Sequence, residues 1–181
     1  MKVVLMHGKD TDPSRKWYPW FISEMKERGI EVIAPALPKP NNPVMSEWLD
    51  ALDKTKPNEK TILVGHSRGG VAIFRWLENL APNQRVKKVI LLATNSGLES
   101  KKAIKSESNF GFYTQEGYNF EEIKKHCDNF VVMHSKDDPW VPFEQGVENA
   151  KGLGAKFLQF DHYKHFGTGV DKIPELLTEI A

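Results

Sequence analysis

Short apolar runs rich in β-branched residues alternate along this chain with stretches that have the apolar spacing of helices. The predicted strands are Val3 to Met6, Glu31 to Ala34, Thr61 to Val64, Val86 to Ala93, Phe130 to His134 and Lys156 to Phe160. The predicted helices are Trp17 to Arg28, Met45 to Lys54, Ser67 to Leu80, Phe120 to His126, Phe143 to Leu153 and Ile173 to Ile180. Because strands joined by helices normally run parallel, the alternation predicts an α/β fold, a three-layer sandwich with a mostly parallel six-stranded sheet. In such sheets ligands bind at the carboxyl ends of the strands.

The composition predicts one domain that binds neither nucleic acid nor a membrane. A chain of 181 residues is long enough for one sizeable core and short for two ordinary domains, so residues 1–181 are expected to form one. The balance of 25 Lys and Arg against 24 Asp and Glu gives no strong basic field, so nucleic-acid binding is not expected. No apolar run approaches the roughly 18 residues of a membrane span, and the single cysteine, Cys127, fits a reducing compartment. A cytoplasmic location is therefore expected.

Two connections depart from the alternation of strand and helix. The segment from Ala34 to Pro43 contains four prolines, which predicts an extended loop near the edge of the site. The connection from Thr94 to Asn119 is long for a compact domain and carries several aromatic residues. Either it caps an active site or its aromatic side chains cover one end of the core, and the sequence leaves both open.

The strongest functional signal is Gly65-His66-Ser67-Arg68-Gly69, which follows a predicted strand and begins a predicted helix. A sharp turn from strand to helix exposes a serine side chain and tolerates only small neighbours. Backbone N–H groups at the start of the helix, including that of Arg68, can face a developing oxyanion. We predict that Ser67 is a nucleophile. The Arg68 side chain either attracts an acidic substrate group or lies in solvent.

A serine nucleophile needs a histidine base that a carboxylate orients, and both residue types follow later strands. Asp137 and Asp138 come after the fifth predicted strand, and His162 and His165 come after the sixth. This architecture has the chain order serine, acid, histidine. His165 is favoured as the base because its longer loop reaches further, and Asp138 is favoured as the acid because Asp137 suits a turn.

The remaining motifs at strand ends predict a second oxyanion donor and no metal. The first strand ends at His7-Gly8-Lys9, where the N–H of Lys9 is the expected donor, although an ordinary turn has the same composition. Asp161, His162 and His165 could suggest zinc, but zinc needs three or four convergent ligands and no Cys/His pattern supplies them. We expect neither metal nor cofactor. His66, His126 and His134 are interpreted as structural.

These motifs together resemble the small serine hydrolases of the retinoblastoma-binding protein 9 type, within the α/β-hydrolase superfamily. The resemblance rests on three stretches and extends over nearly the whole chain: Gly65 to Gly69, Ser135 to Gln145, and His165-Phe166. It implies a minimal α/β-hydrolase fold without a separate lid domain. It also implies that Ser67 is the nucleophile, Asp138 the acid and His165 the base. The glycine that usually precedes the base in this family is replaced here by Lys164.

The expected function is therefore that of a metal-independent serine hydrolase, which cleaves a small carboxylic ester, thioester or amide through an acyl-enzyme. Transfer of the acyl group to an acceptor other than water would use the same residues. The alternative is a weakly active or non-catalytic binding protein on the same fold. The family's Leu-x-Cys-x-Glu pattern for binding retinoblastoma protein is missing, since the only cysteine lies in Lys125-His126-Cys127-Asp128. The one expected partner is a small-molecule substrate, and the oligomeric state is left open.

Overall fold

The computed structural model describes residues 1–99 and 109–180. Its strands are β1 (Lys2–Met6), β2 (Glu31–Ile33), β3 (Thr61–His66), β4 (Lys88–Leu92), β5 (Phe130–Ser135) and β6 (Lys156–Phe160). Its helices are α1 (Tyr18–Glu27), α2 (Met45–Asp53), α3 (Arg68–Glu78), α4 (Phe120–Lys124), α5 (Phe143–Leu153) and α6 (Pro174–Ile180). Every predicted strand and helix is present, and their ends differ from the prediction by two residues at most.

The six strands form one sheet in the order β2-β1-β3-β4-β5-β6, and every neighbouring pair is parallel. The predicted α/β class is thus confirmed, with a sheet that is parallel throughout. The strand order puts β1 beside β3 and β5 beside β6. Because parallel strands share one carboxyl edge, the loops that follow these four strands emerge along the same edge of the sheet.

The two faces of the sheet carry separate layers of helices, as the side-chain alternation of its strands requires. In β1, Val4 and Met6 pack with α2, α3, α4 and α5, whereas Val3 and Leu5 pack with α1 and α6. These four side chains are fully buried. Helices cover both faces, so the central strands read as continuous apolar runs. The result is the three-layer sandwich that the sequence predicts.

The two irregular connections lie against the carboxyl edge and the core. The proline-rich loop contacts the loop after β1, because the N–H of Asp10 donates to the carbonyl of Pro40 at 3.0 Å. In the connection after β4, Phe112 is fully buried and the Tyr118 ring packs on Phe74 with 4.2 Å between ring centroids. The described aromatics of this connection other than Phe110 thus help to cover the core. Residues 100–108 of this connection, which the sequence left open as a cap, lie outside the described residues.

In the described part of the chain, none of the helices combines the length and the apolar character that crossing a membrane requires.

Candidate active site

Ser67 occupies a strained turn between β3 and α3. Its backbone has φ 52° and ψ −120°, a conformation that residues with a side chain rarely adopt. The turn is held because the N–H of Ser67 donates to the carbonyl of Leu92 at 2.8 Å, and its own carbonyl accepts from the N–H of Gly70 at 3.0 Å. Strain of this kind persists only where the surrounding contacts fix it, and it exposes the Ser67 hydroxyl at the carboxyl edge of the sheet.

The glycine at position 69 lets the turn pack directly against the end of β1. A Cβ atom at Gly69 would collide with the carbonyl oxygens of Met6 and His7. These are backbone atoms of the central sheet and of the loop that follows it, so they cannot move aside without disturbing the strand. The close approach explains why the sequence has glycine at this position.

We predict that Gly69→Ala lowers the free energy of unfolding by about 3 kcal/mol, because the added methyl group is forced into backbone atoms. Urea unfolding followed by circular dichroism measures the change. Gly167→Ala is the matched control, since a Cβ there would meet its nearest atoms at 3.8 Å, an ordinary contact distance. Equal stability of the two variants would contradict the close approach at Gly69.

The His165 ring lies between Ser67 and Asp138. Its Nδ1 is 2.8 Å from Asp138 Oδ2, and its Nε2 is 2.9 Å from Ser67 Oγ. Because a carboxylate only accepts hydrogen bonds, Nδ1 carries the proton in the neutral ring, and Nε2 accepts from the Ser67 hydroxyl. The ring is therefore oriented to remove that proton.

The Asp138 carboxylate is fixed by its own loop. Its side chain is fully buried, and Oδ1 accepts from the N–H groups of Trp140 at 2.8 Å and Val141 at 3.0 Å. Its Oδ2 remains directed at His165. His134 braces the same loop, because its Nε2 lies 3.1 Å from the carbonyl of Val141. Burial lowers the pKa of His134, so this ring is neutral and adds no competing charge beside the carboxylate.

The competing aspartate and histidine have other contacts. Asp137 Oδ1 accepts from the Ser135 hydroxyl at 2.5 Å and from the N–H of Lys164 at 2.8 Å, so it ties the loop after β5 to the loop after β6. The His162 ring is exposed and packs on Tyr163 with 4.3 Å between centroids. Of the two candidate aspartates and the two candidate histidines, Asp138 and His165 are the ones that lie together with Ser67.

The cluster of Asp161, His162 and His165 is not assembled around one point. Asp161 pairs with Lys136 at 3.2 Å, while His165 contacts Asp138. Across residues 1–99 and 109–180, no group of three or more His, Cys, Asp or Glu side chains is arranged to hold a metal ion.

The loop after β1 lies beside Ser67. A Cβ atom added at Gly8 would be 3.4 Å from the Cβ of Ser67, so the loop passes close to Ser67 at this point. Lys9 is the next residue along the loop. His7 anchors the loop, because its Nδ1 lies 2.8 Å from the carbonyl of Gly8 and its Nε2 accepts from the N–H of Leu37 at 3.0 Å. Burial lowers the pKa of His7, which keeps this ring neutral and able to accept. The role of the Lys9 N–H as an oxyanion donor stays a prediction.

The Arg68 side chain does not lie in solvent, which was one of its two predicted positions. It is buried, its guanidinium lies 4.9 Å from the ring centroids of both Phe112 and Tyr113, and it donates to Asn109 Oδ1 at 2.7 Å. It therefore anchors residues 109–113 to the start of α3, and its attraction of an acidic substrate group stays a prediction. Its backbone N–H remains at the start of the helix, where the sequence predicts an oxyanion donor.

Lys164 adopts the conformation that explains the glycine usual at this position in the resembling family. Its φ is 48°, in the left-handed region where a residue without Cβ is favoured, and Phe166 on the other side of His165 has φ 49°. The lysine is held in this conformation by the hydrogen bond from its N–H to Asp137. His165 thus lies between two left-handed residues in a turn fixed by outside contacts.

The parallel sheet, the strained serine turn and the loops that converge on it are those of an α/β hydrolase. The chain belongs to the serine hydrolase family, whose sequence model matches residues 3–178.

Individual relatives agree with this assignment. The chain is 30% identical to serine hydrolase RBBP9 of Rattus norvegicus over 166 residues, which cover 91% of this chain and 85% of that protein. It is 29% identical to YdeN of Bacillus subtilis over 167 residues, with the same coverage of 91% and 85%. The crystal structure of the ydeN gene product superposes with a TM-score of 0.88 at 27% identity and covers 99% of this chain and 96% of its own. Est1E from Butyrivibrio proteoclasticus shares the fold, with a TM-score of 0.71 at 17% identity over 99% of this chain and 84% of its own.

Proposed function

We propose that this chain is a metal-independent serine hydrolase that cleaves a small carboxylic ester, thioester or amide through an acyl-enzyme. Ser67 is the nucleophile, His165 the general base and Asp138 the residue that orients the base. The observation that carries the proposal is the His165 ring, whose two nitrogens contact Ser67 Oγ at 2.9 Å and Asp138 Oδ2 at 2.8 Å. Both distances are within the hydrogen-bond range that a nucleophile, base and acid require.

In the first half of the reaction, Ser67 Oγ attacks the substrate carbonyl carbon while its proton moves to His165 Nε2. The positive charge on the imidazolium is stabilised by Asp138, which keeps hold of the Nδ1 proton. The negative charge on the carbonyl oxygen is stabilised by the backbone N–H groups of Lys9 and Arg68. When the intermediate collapses, the leaving group takes the proton from Nε2 and the acyl group stays on Ser67.

In the second half, water replaces the leaving group. His165 Nε2 takes a proton from the water, whose oxygen attacks the acyl carbon, and the oxyanion forms in the same position. Collapse of this intermediate returns the proton to Ser67 Oγ and releases the carboxylic acid. Each step uses groups of the chain itself, so no metal or cofactor is required. Esters, thioesters and amides all present the planar carbonyl that this sequence of steps needs.

We predict that a fluorophosphonate adds once to the wild-type protein and not at all to Ser67→Ala, because only an activated serine attacks the phosphorus centre. Intact-mass spectrometry measures the adduct. Ser23→Ala is the matched control, since Ser23 is an exposed serine on α1, and it is expected to label like the wild type. Far-UV circular dichroism shows that each variant is folded.

A folded wild-type protein that remains unlabelled, and that hydrolyses no 4-nitrophenyl or thioester substrate, would contradict the proposed activity. That outcome would favour the alternative, a binding protein that keeps the hydrolase fold. If labelling occurs, product analysis with competing alcohols or amines separates hydrolysis from acyl transfer, because an acceptor other than water then appears in the product.

A further inference from the structure

A buried chain of hydrogen bonds runs beneath the site and involves two side chains that the proposed mechanism does not use. His66 immediately precedes Ser67 and is fully buried. Its Nε2 lies 2.7 Å from the carbonyl oxygen of His165, and its Nδ1 lies 2.6 Å from the hydroxyl of Tyr18. The N–H of Gly8 donates to the same Tyr18 oxygen at 3.3 Å.

The protons in this chain have one consistent arrangement. The carbonyl of His165 only accepts, so Nε2 of His66 must carry a proton. Burial, and next the proximity of His165, lower the pKa of His66 well below its ordinary value, so its ring is neutral and Nδ1 accepts. Tyr18 therefore donates its hydroxyl proton to Nδ1. Burial also raises the pKa of Tyr18, so the hydroxyl keeps that proton.

This chain of hydrogen bonds connects three backbone segments whose relative positions the proposed reaction depends on. Gly8 precedes Lys9 in the loop after β1, His66 precedes the nucleophile, and His165 carries the base. The turn at His165 is costly by itself, because the residues on both sides have positive φ values. The turn is held by the residue that precedes α1, since Trp17 Nε1 donates to the carbonyl of Phe166 at 3.0 Å.

We propose that Tyr18 and His66 are positioning residues. Through this chain of hydrogen bonds they hold His165 and the loop after β1 in fixed geometry relative to Ser67. The inference rests on the proposed hydrolase function. Neither side chain is hydrogen-bonded to Ser67 Oγ or to a ring nitrogen of His165. Tyr18 therefore acts through the Gly8 N–H and through His66, and His66 acts through the carbonyl of His165 and through its ring, which packs on the His165 ring with 5.3 Å between centroids. A displacement of about 1 Å in such a geometry can lower a rate by about 100-fold. Loss of one link is therefore felt in kcat rather than in substrate binding.

The first test is Tyr18→Phe, which removes only the hydroxyl. We expect kcat for 4-nitrophenyl esters to fall about 10-fold, with KM unchanged within about twofold. Tyr163→Phe is the matched control, because Tyr163 is a buried tyrosine of the same core layer whose hydroxyl donates to Glu175 on α6 at 2.7 Å. It should lose a similar amount of resistance to urea while keeping kcat within about twofold. Equal kcat values for the two variants would overturn the proposal.

The second test is a double-mutant cycle. His66→Gln keeps one donor and one acceptor, whereas His66→Leu keeps neither, so kcat should be higher in His66→Gln. Tyr18→Phe should have a smaller effect on kcat in the His66→Leu background than in the wild type, because its hydrogen bond to His66 is already lost there and only the one from the Gly8 N–H remains to be removed. If its 10-fold loss is fully additive there, the two side chains do not act through one chain.

A third readout does not depend on turnover. In protein labelled with ¹⁵N-histidine, the ring-nitrogen shifts should identify His66 as protonated at Nε2 only. The His165 ring resonances should move in Tyr18→Phe and stay unchanged in Tyr163→Phe. A His66 ring protonated at Nδ1, or His165 resonances that respond equally to both variants, would contradict the positioning role. A wild-type protein that gives these NMR results but neither reacts with the fluorophosphonate nor hydrolyses an ester would instead count against the hydrolase function alone.

Discussion

Replacement of His165 by alanine should lower kcat/KM for 4-nitrophenyl esters by about 10³- to 10⁴-fold, because it removes the group that we propose takes the Ser67 proton. The fold should be retained. The carbonyl of His165, which His66 contacts at 2.7 Å, belongs to the backbone and stays in the variant. Steady-state hydrolysis measures the loss, and a urea melt measures the stability.

His162→Ala is the control for this change. His162 lies in the same loop but is exposed, so its removal should alter kcat/KM by no more than about twofold. A larger loss in His162→Ala than in His165→Ala would mean that the loop rearranges when substrate binds and that His162 is the base. Equal losses in the two variants would indicate damage to the loop rather than loss of a base.

The fold could be predicted from the sequence because its parallel strands are apolar runs that helical patterns separate. The errors fall at the ends of elements. Val86 is buried but precedes the ladder of β4, which begins at Lys88, so hydrophobicity alone extended the predicted strand. The helix predicted to end at Leu80 ends at Glu78 in α3. The apolar pattern that buries Leu77 does not mark where the helical hydrogen bonds stop.

The arrangement at Ser67 was predictable because each group lies just after a strand and parallel strands share one edge. The glycines at 65 and 69 mark the sharp turn, and the order of later strands brings the loops of Asp138 and His165 beside it. Their catalytic roles remain predictions.

The contacts of Arg68, Tyr18 and His66 could not be predicted in the same way. Arg68 is buried by residues 109–113, which are distant in sequence, so no local spacing signals its position. Tyr18 and His66 are joined only when α1 packs on the face of the sheet below Ser67. A signal for His66 was its polar side chain at the end of the buried strand β3, because a buried polar group requires a partner.

Asp138→Asn should reduce kcat by about 10⁴-fold while leaving KM for the ester little changed. The asparagine Oδ1 can still accept from the N–H groups of Trp140 and Val141, so the loop keeps its shape. That leaves the amide NH₂ facing His165 Nδ1, which must then accept. The ring proton moves to Nε2, and a protonated Nε2 cannot take the proton of Ser67. The variant therefore keeps the geometry and loses the base.

Asp137→Asn separates the effect of Asp138→Asn from a general disturbance of the loop after β5. Its Oδ1 can still accept from the Ser135 hydroxyl and the Lys164 N–H, so kcat should fall by less than about 10-fold. The tautomer explanation is tested further by ¹⁵N-histidine NMR, in which His165 should change from Nδ1-protonated to Nε2-protonated only in Asp138→Asn. A large loss of kcat with Nδ1 still protonated would mean that the carboxylate acts through its charge rather than by fixing the tautomer. A larger loss of kcat in Asp137→Asn would make Asp137 the acid.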